Sequence, residues 1–96
     1  MENTEIADVL EELGDLLEIS GSNPFRIRAY RNAVRTVRSL TQPLSAMVDA
    51  GEDLTALPAI GKDLSAHIVE LVETGELARL AEISAEFQRR RTKNLD

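Results

Sequence analysis

The sequence predicts an all-α fold, a compact bundle of four to five short helices. Three observations carry this. Apolar residues recur at spacings of three and four along most of the 96 residues, and no strand-like alternation competes. Asn, Pro and Gly fall between those runs, where helices start and stop. All connections are short, as in a helical bundle, with no linker or repeat.

The first helix is expected from about Thr4 to Ile19, with Asn3 as its N-cap. Ile6, Val9, Leu10, Leu13 and Leu17 share one face, acids take much of the rest, and Gly21 stops it. The second opens on Asn23-Pro24, a cap followed by proline at the first helical position, and runs to about Leu40. Ile27, Tyr30, Val34 and Val37 form its core stripe. Arg28, Arg31, Arg35 and Arg38 form a second stripe within about 80° of arc and roughly 15 Å of axis, while Arg26 points elsewhere.

Pro43 opens a shorter helix with Leu44, Met47 and Val48 inward, ended by Gly51. Asp53 to Ala56 make one turn, leading into Leu57-Pro58-Ala59-Ile60-Gly61. The fourth long segment spans Lys62 to Thr74 and closes on Gly75. The last begins near Glu76, with Leu77, Leu80, Ile83 and Phe87 as its apolar face. The domain is expected over residues 1–88, with 89–96 a polar, frayed tail.

Composition excludes several classes. With no cysteine there is no disulfide and no cysteine-ligated metal. No apolar run approaches the ~20 residues that cross a bilayer, and the acidic start lacks a signal-peptide pattern, so a cytoplasmic protein without membrane contact is expected. The net charge of −6 argues against nucleic acid, but its distribution does not. Residues 1–18 hold seven acids and no base, whereas residues 23–38 hold five arginines and no acid. Arg89, Arg90, Arg91 and Lys93 add a second basic run.

Two constellations suggest chemistry. Leu57 to Gly61, followed by Leu64 and Ile68, reads as a tight turn launching a helix. Free backbone N–H groups there, from Ala59, Ile60, Gly61, Lys62 and Asp63, suit a phosphate, with Lys62 adding a cation. Gly61 removes a Cβ from the approach and tolerates positive φ. The arginines offer planar forks matched to phosphate oxygens. Intramolecular pairing with the acids of the first helix is the competing use. Tyr30 either offers its hydroxyl to a sugar-phosphate or keeps it satisfied within the core. His67, the only histidine, is not a metal site by itself, and no Ser-His-Asp arrangement is supported.

The motifs Asn23-Pro24-Phe25-Arg26-Ile27-Arg28-Ala29-Tyr30-Arg31-Asn32-Ala33 and Leu57-Pro58-Ala59-Ile60-Gly61-Lys62-Asp63-Leu64, with Ile68 to Leu77, resemble the N-terminal helix-hairpin-helix domain of bacterial family X DNA polymerases. The polymerase beta lyase domain is a more distant relative. The resemblance covers roughly residues 3–83, and the tail from Glu86 does not match.

It implies a polymerase beta N-terminal-domain-like fold that binds gapped or nicked DNA at its 5′-phosphate side, as part of a repair protein with a polymerase or other repair domain as partner. Arg26 and Tyr30 match the family's 5′-phosphate pocket. No organic cofactor is implied; Na⁺ or K⁺ at the hairpin would be held by the carbonyls of Thr55, Leu57 and Ile60. The first hairpin glycine of the family is Ala59 here, which narrows the approach or tightens the turn. The lyase lysine position is His67, whose imidazole cannot form an imine with an abasic sugar, and no polymerase domain fits in 96 residues. The chain alone is therefore expected to bind rather than catalyse. A 5′-deoxyribose phosphate lyase using Lys62, Lys93 or the N-terminus, or a protein-interaction module of the same fold, are the alternatives.

Overall fold

A computed structural model describes residues 1–94, with side chains as far as Arg89. Helices α1 (Asn3–Ile19), α2 (Pro24–Ser39), α3 (Leu44–Asp49), α4 (Lys62–Thr74) and α5 (Ala78–Asn94) follow in order. A single 3₁₀ turn, Leu54–Ala56, precedes α4. Among the described residues there is no strand, and no helix is long and apolar enough to cross a membrane. The expected tail, 89–96, overlaps the last turns of α5, and residues 95 and 96 lie outside the described residues.

The core follows the helical stripes. Ile6, Leu10, Leu13, Val37, Leu44, Leu54, Ile68 and Leu71 are essentially removed from water. Truncating one of the leucines or isoleucines to alanine would cost ~2–5 kcal/mol. Ile27, expected on the α2 stripe, is only partly buried, and Ala33 takes a full place in the core. No described side-chain polar atom is buried without a partner.

Two helix starts differ from the sequence expectation. Asn3 is not the cap of α1. Glu2 is, and its N–H donates to the Glu5 carboxylate at 3.1 Å. Asn3 instead reaches across the chain. Its Oδ1 accepts the Leu44 N–H at 2.8 Å and its Nδ2 donates to the Gln42 carbonyl at 2.9 Å, so it fastens the start of α3 to α1. Helix α5 begins at Ala78 rather than near Glu76. The intervening residues are used by the turn after Gly75, where the Thr74 hydroxyl accepts the Glu76 N–H. The cap then comes from α4: Glu70 Oε2 accepts the Ala78 N–H at 2.7 Å.

Candidate nucleic-acid interface

The hairpin is built on buried anchors at Leu54, Ile60 and Leu64. Asp53 accepts from both the backbone N–H and the hydroxyl of Thr55, and those bonds, the hydroxyl's first, hold its carboxyl below the usual range. Leu57, Pro58, Ala59 and Ile60 form a β-turn, with the Ile60 N–H donating to the Leu57 carbonyl at 3.3 Å. Pro58 occupies its second position and Ala59 its third, at φ +64°. That is the type II pattern, whose third residue is normally glycine because it is left-handed. Substituting alanine has therefore not flattened the turn; Ala59 carries the strain.

Gly61 does not use its tolerance of positive φ. It caps α4 in extended backbone, at φ −89° and ψ −172°. A Cβ added there would meet nothing within 4 Å, so the space over the helix start is open. No side chain caps α4, and the N–H groups of Lys62, Asp63 and Leu64 have no acceptor among the described residues. The first turn of a 13-residue helix thus faces solvent with its donors unspent.

The arginines divide. Arg31 turns to α1 and binds Asp15 at 2.6 Å and Glu18 at 3.0 Å. Arg38 does the same with Asp8 at 2.9 Å and Glu11 at 2.8 Å. These carboxylate hydrogen bonds raise both guanidinium pKa values, Arg31 first through Asp15 and Arg38 first through Asp8. For these two, pairing with the first helix is what the structure shows. Arg26, Arg28 and Arg35 have no ion pair among the described residues. Arg28 lies 5.9 Å from the centre of the Phe25 ring.

Arg26, which lies off the stripe, meets the hairpin at the start of α4. With Tyr30, Ala59, Gly61, Lys62 and Asp63 it lines a cleft of about 340 Å³ between α2 and the start of α4. Arg35 borders a second hollow against Pro58 and Ala59.

Tyr30 is a core tyrosine with its hydroxyl satisfied: 7% exposed, it sits 3.2 Å from His67 Nε2, and the two rings stack with centroids 6.2 Å apart. Burial raises the phenol pKa, opposed by Arg26. Burial also lowers the His67 pKa, which favours the neutral imidazole, against the pull of Asp63 and Glu70.

Two residues passed over in the sequence belong here. Phe25 is 76% exposed on the first turn of α2 beside Arg26. Its position opposite the core stripe was the available signal. Arg79 shares a hollow with Arg26, Ser20 and Ser22, although it also approaches Glu82 at 3.6 Å. It is the lone cation between Lys62 and Arg89. No group of three or more His, Cys, Asp or Glu among the described residues is placed to hold a metal.

An unfilled helix start behind a type II turn, with cations converging on it, is the arrangement of a backbone-binding hairpin. The chain belongs to the helix-hairpin-helix domain family, which it matches over residues 1–77. It is 29% identical over 86 residues to the "DNA polymerase/3'-5' exonuclease PolX" of Bacillus subtilis (strain 168), covering 90% of this chain and 14% of that protein. It is 27% identical over 82 residues to "DNA polymerase lambda" of Rattus norvegicus, covering 85% of this chain and 13% of that protein. The chain spans about one-seventh of the length of these relatives.

Proposed function

We propose that this domain binds DNA through its sugar-phosphate backbone, without regard to sequence, beside a 5′-phosphate at a gap or nick. The observation that carries the reading is the cleft in which Arg26 and Lys62, both without ion pairs among the described residues, face the unspent N–H groups of α4. Charge and oriented main-chain donors together select phosphate oxygens, and phosphates carry no base identity. A terminal phosphate, more highly charged than an internal one, gains most from that pairing. Phe25 offers an exposed ring on which a base unstacked at the break can lie. The similarity to two proteins named DNA polymerases supports the same reading, with this domain as the DNA-holding part of a repair protein.

A monovalent cation at the hairpin would use the carbonyls of Thr55, Leu57 and Ile60. The Leu57 carbonyl already accepts the Ile60 N–H and retains one lone pair for it. Such an ion would supply positive charge to a phosphate above the turn. Replacing sodium or potassium by tetramethylammonium at constant ionic strength should then weaken binding.

The deciding measurement is a titration of gapped DNA with and without a 5′-phosphate. Tighter binding of the phosphorylated form, with affinity falling steeply in salt, is expected. Equal affinities would reject end recognition, and no binding at low salt would reject DNA binding. One observation favours a lyase as second reading: Lys62 is the amine lining the cleft. Borohydride trapping on an abasic substrate, lost in Lys62→Ala, would establish it.

A further inference from the structure

Beyond the cleft at Arg26, the hollow on the other side of the hairpin turn has the makings of a second site. It measures about 490 Å³ and is lined by Asn32, Arg35, Thr36 and Ser39 of α2 and by Pro58 and Ala59 of the turn. Ala59 borders both hollows, so the turn is a saddle between them. Arg35 differs from its neighbours on the arginine stripe. Arg31 and Arg38 are held by α1 carboxylates, and Arg28 lies over Phe25. Arg35 is exposed, has no ion pair among the described residues, and stands against the hairpin. No acid lines this hollow, whereas Asp63 lines the first. Its other polar side chains are an amide and two hydroxyls, the neutral donors that commonly accompany arginine on phosphate.

We propose that Arg35, with Asn32 and Ser39, forms a second phosphate subsite that takes an internal phosphate of the strand whose 5′ end lies at Arg26. The inference rests on the DNA-binding reading above. Ser39 Oγ donates to the Thr36 carbonyl at 2.8 Å, so its proton reaches a phosphate only by turning outward from that bond. Asn32 has no such bond and its amide is available. Arg26 and Arg35 are nine residues apart, or about 13.5 Å along the helix. A strand in duplex geometry advances 3.4 Å per phosphate along the duplex axis and also winds about it, so the subsite falls between about two and four phosphates in from the 5′ end. The strand therefore crosses the saddle at Ala59 and is held on both sides of it.

The test is a methylphosphonate walk. Neutral phosphonates are placed one at a time at the second to sixth internucleotide positions of the downstream strand of gapped DNA, and each is titrated against the wild-type chain and Arg35→Ala. Arg35 is exposed and unpaired, so its variant keeps the fold, and its circular dichroism should match wild type. Wild-type affinity should drop roughly fivefold at one or two positions between the second and the fourth, and the same substitutions should leave Arg35→Ala unchanged. Arg35→Ala should also lower the salt slope by about 0.9. A preference for the 5′-phosphate should survive in the variant. An identical profile in wild type and variant overturns this proposal while leaving the DNA-binding reading intact. Absence of wild-type binding overturns both.

Discussion

Ala59→Gly should make the domain more stable. Ala59 sits at φ +64°, where an L-residue with a Cβ loses ~1–2 kcal/mol relative to right-handed backbone. Glycine removes that cost but gains freedom in the unfolded chain, which returns ~0.5–1 kcal/mol of the benefit. Ala59 is exposed, so losing its methyl uncovers no core. With each term near the middle of its range, the balance is a gain of about 0.5–1 kcal/mol. For a domain of this size it corresponds to a rise in Tm of roughly 2–8 °C. Ala59→Val, β-branched at the same angle, should move Tm the other way. Thermal unfolding followed by circular dichroism reads both variants directly. An unchanged or lower Tm for Ala59→Gly would mean that solution backbone does not hold residue 59 in left-handed geometry. The type II turn, and with it the presentation of the α4 N–H groups, would then be wrong.

Three further outcomes are expected. Arg26→Ala and Lys62→Ala should each weaken DNA binding and flatten its salt dependence, whereas Asp15→Asn with Glu18→Gln should release Arg31 and tighten binding; fluorescence anisotropy across a salt series separates these. Phe25→Ala should leave unfolding within about 0.5 kcal/mol of wild type because the ring is exposed, yet weaken binding to gapped DNA by an amount set by base stacking of ~1–3 kcal/mol. Stability should decline as pH falls from about 7 toward 5, because the unfolded chain protonates His67 before the folded one does; His67→Gln should flatten that slope in denaturant titrations.

How much was readable from the sequence depends on whether the signal was local. Helix α4 occupies Lys62–Thr74, as expected, because Gly61 caps it and Gly75 turns left-handed after it, at φ +77°. Helix α2 begins where Asn23 accepts the Phe25 N–H at 2.8 Å and Pro24 fills the first position. Where a cap is tertiary, sequence spacing fails. Nothing near Leu77 announces that Glu70, eight residues back on α4, caps Ala78. Likewise Asn3 has the residue type of a local cap but serves α3, 41 residues on. The arginine stripe shows the same limit at the site. Periodicity places Arg28, Arg31, Arg35 and Arg38 within about 80°, but α1 covers only one edge of that arc. Arg38 and Arg31 lie toward that edge and are taken by its acids. Arg35 and Arg28, about 40–80° further round, escape them. A helical wheel shows which residues share a face; it does not show which neighbour the face meets.

This split reconciles a net charge of −6 with a backbone-binding surface. Six of the seven acids in residues 1–18 are accounted for in pairs or caps: Asp8, Glu11, Asp15 and Glu18 with arginines, and Glu2 and Glu5 at the start of their own helix. Each paired arginine meets two carboxylates, so the α1 edge of α2 stays net negative. The hairpin is flanked by Arg26 and Lys62 on one side and Arg35 on the other, against open main-chain donors, with Asp63 the acid lining these hollows. Within a Debye length of ~8 Å a strand at the hairpin feels chiefly these groups. A strand approaching α1 meets uncompensated carboxylates. The acids therefore give the domain one attractive side for a polyanion, and the hairpin lies on it. Orientation follows from where the negative charge sits, and a uniformly basic domain of the same fold would lack it.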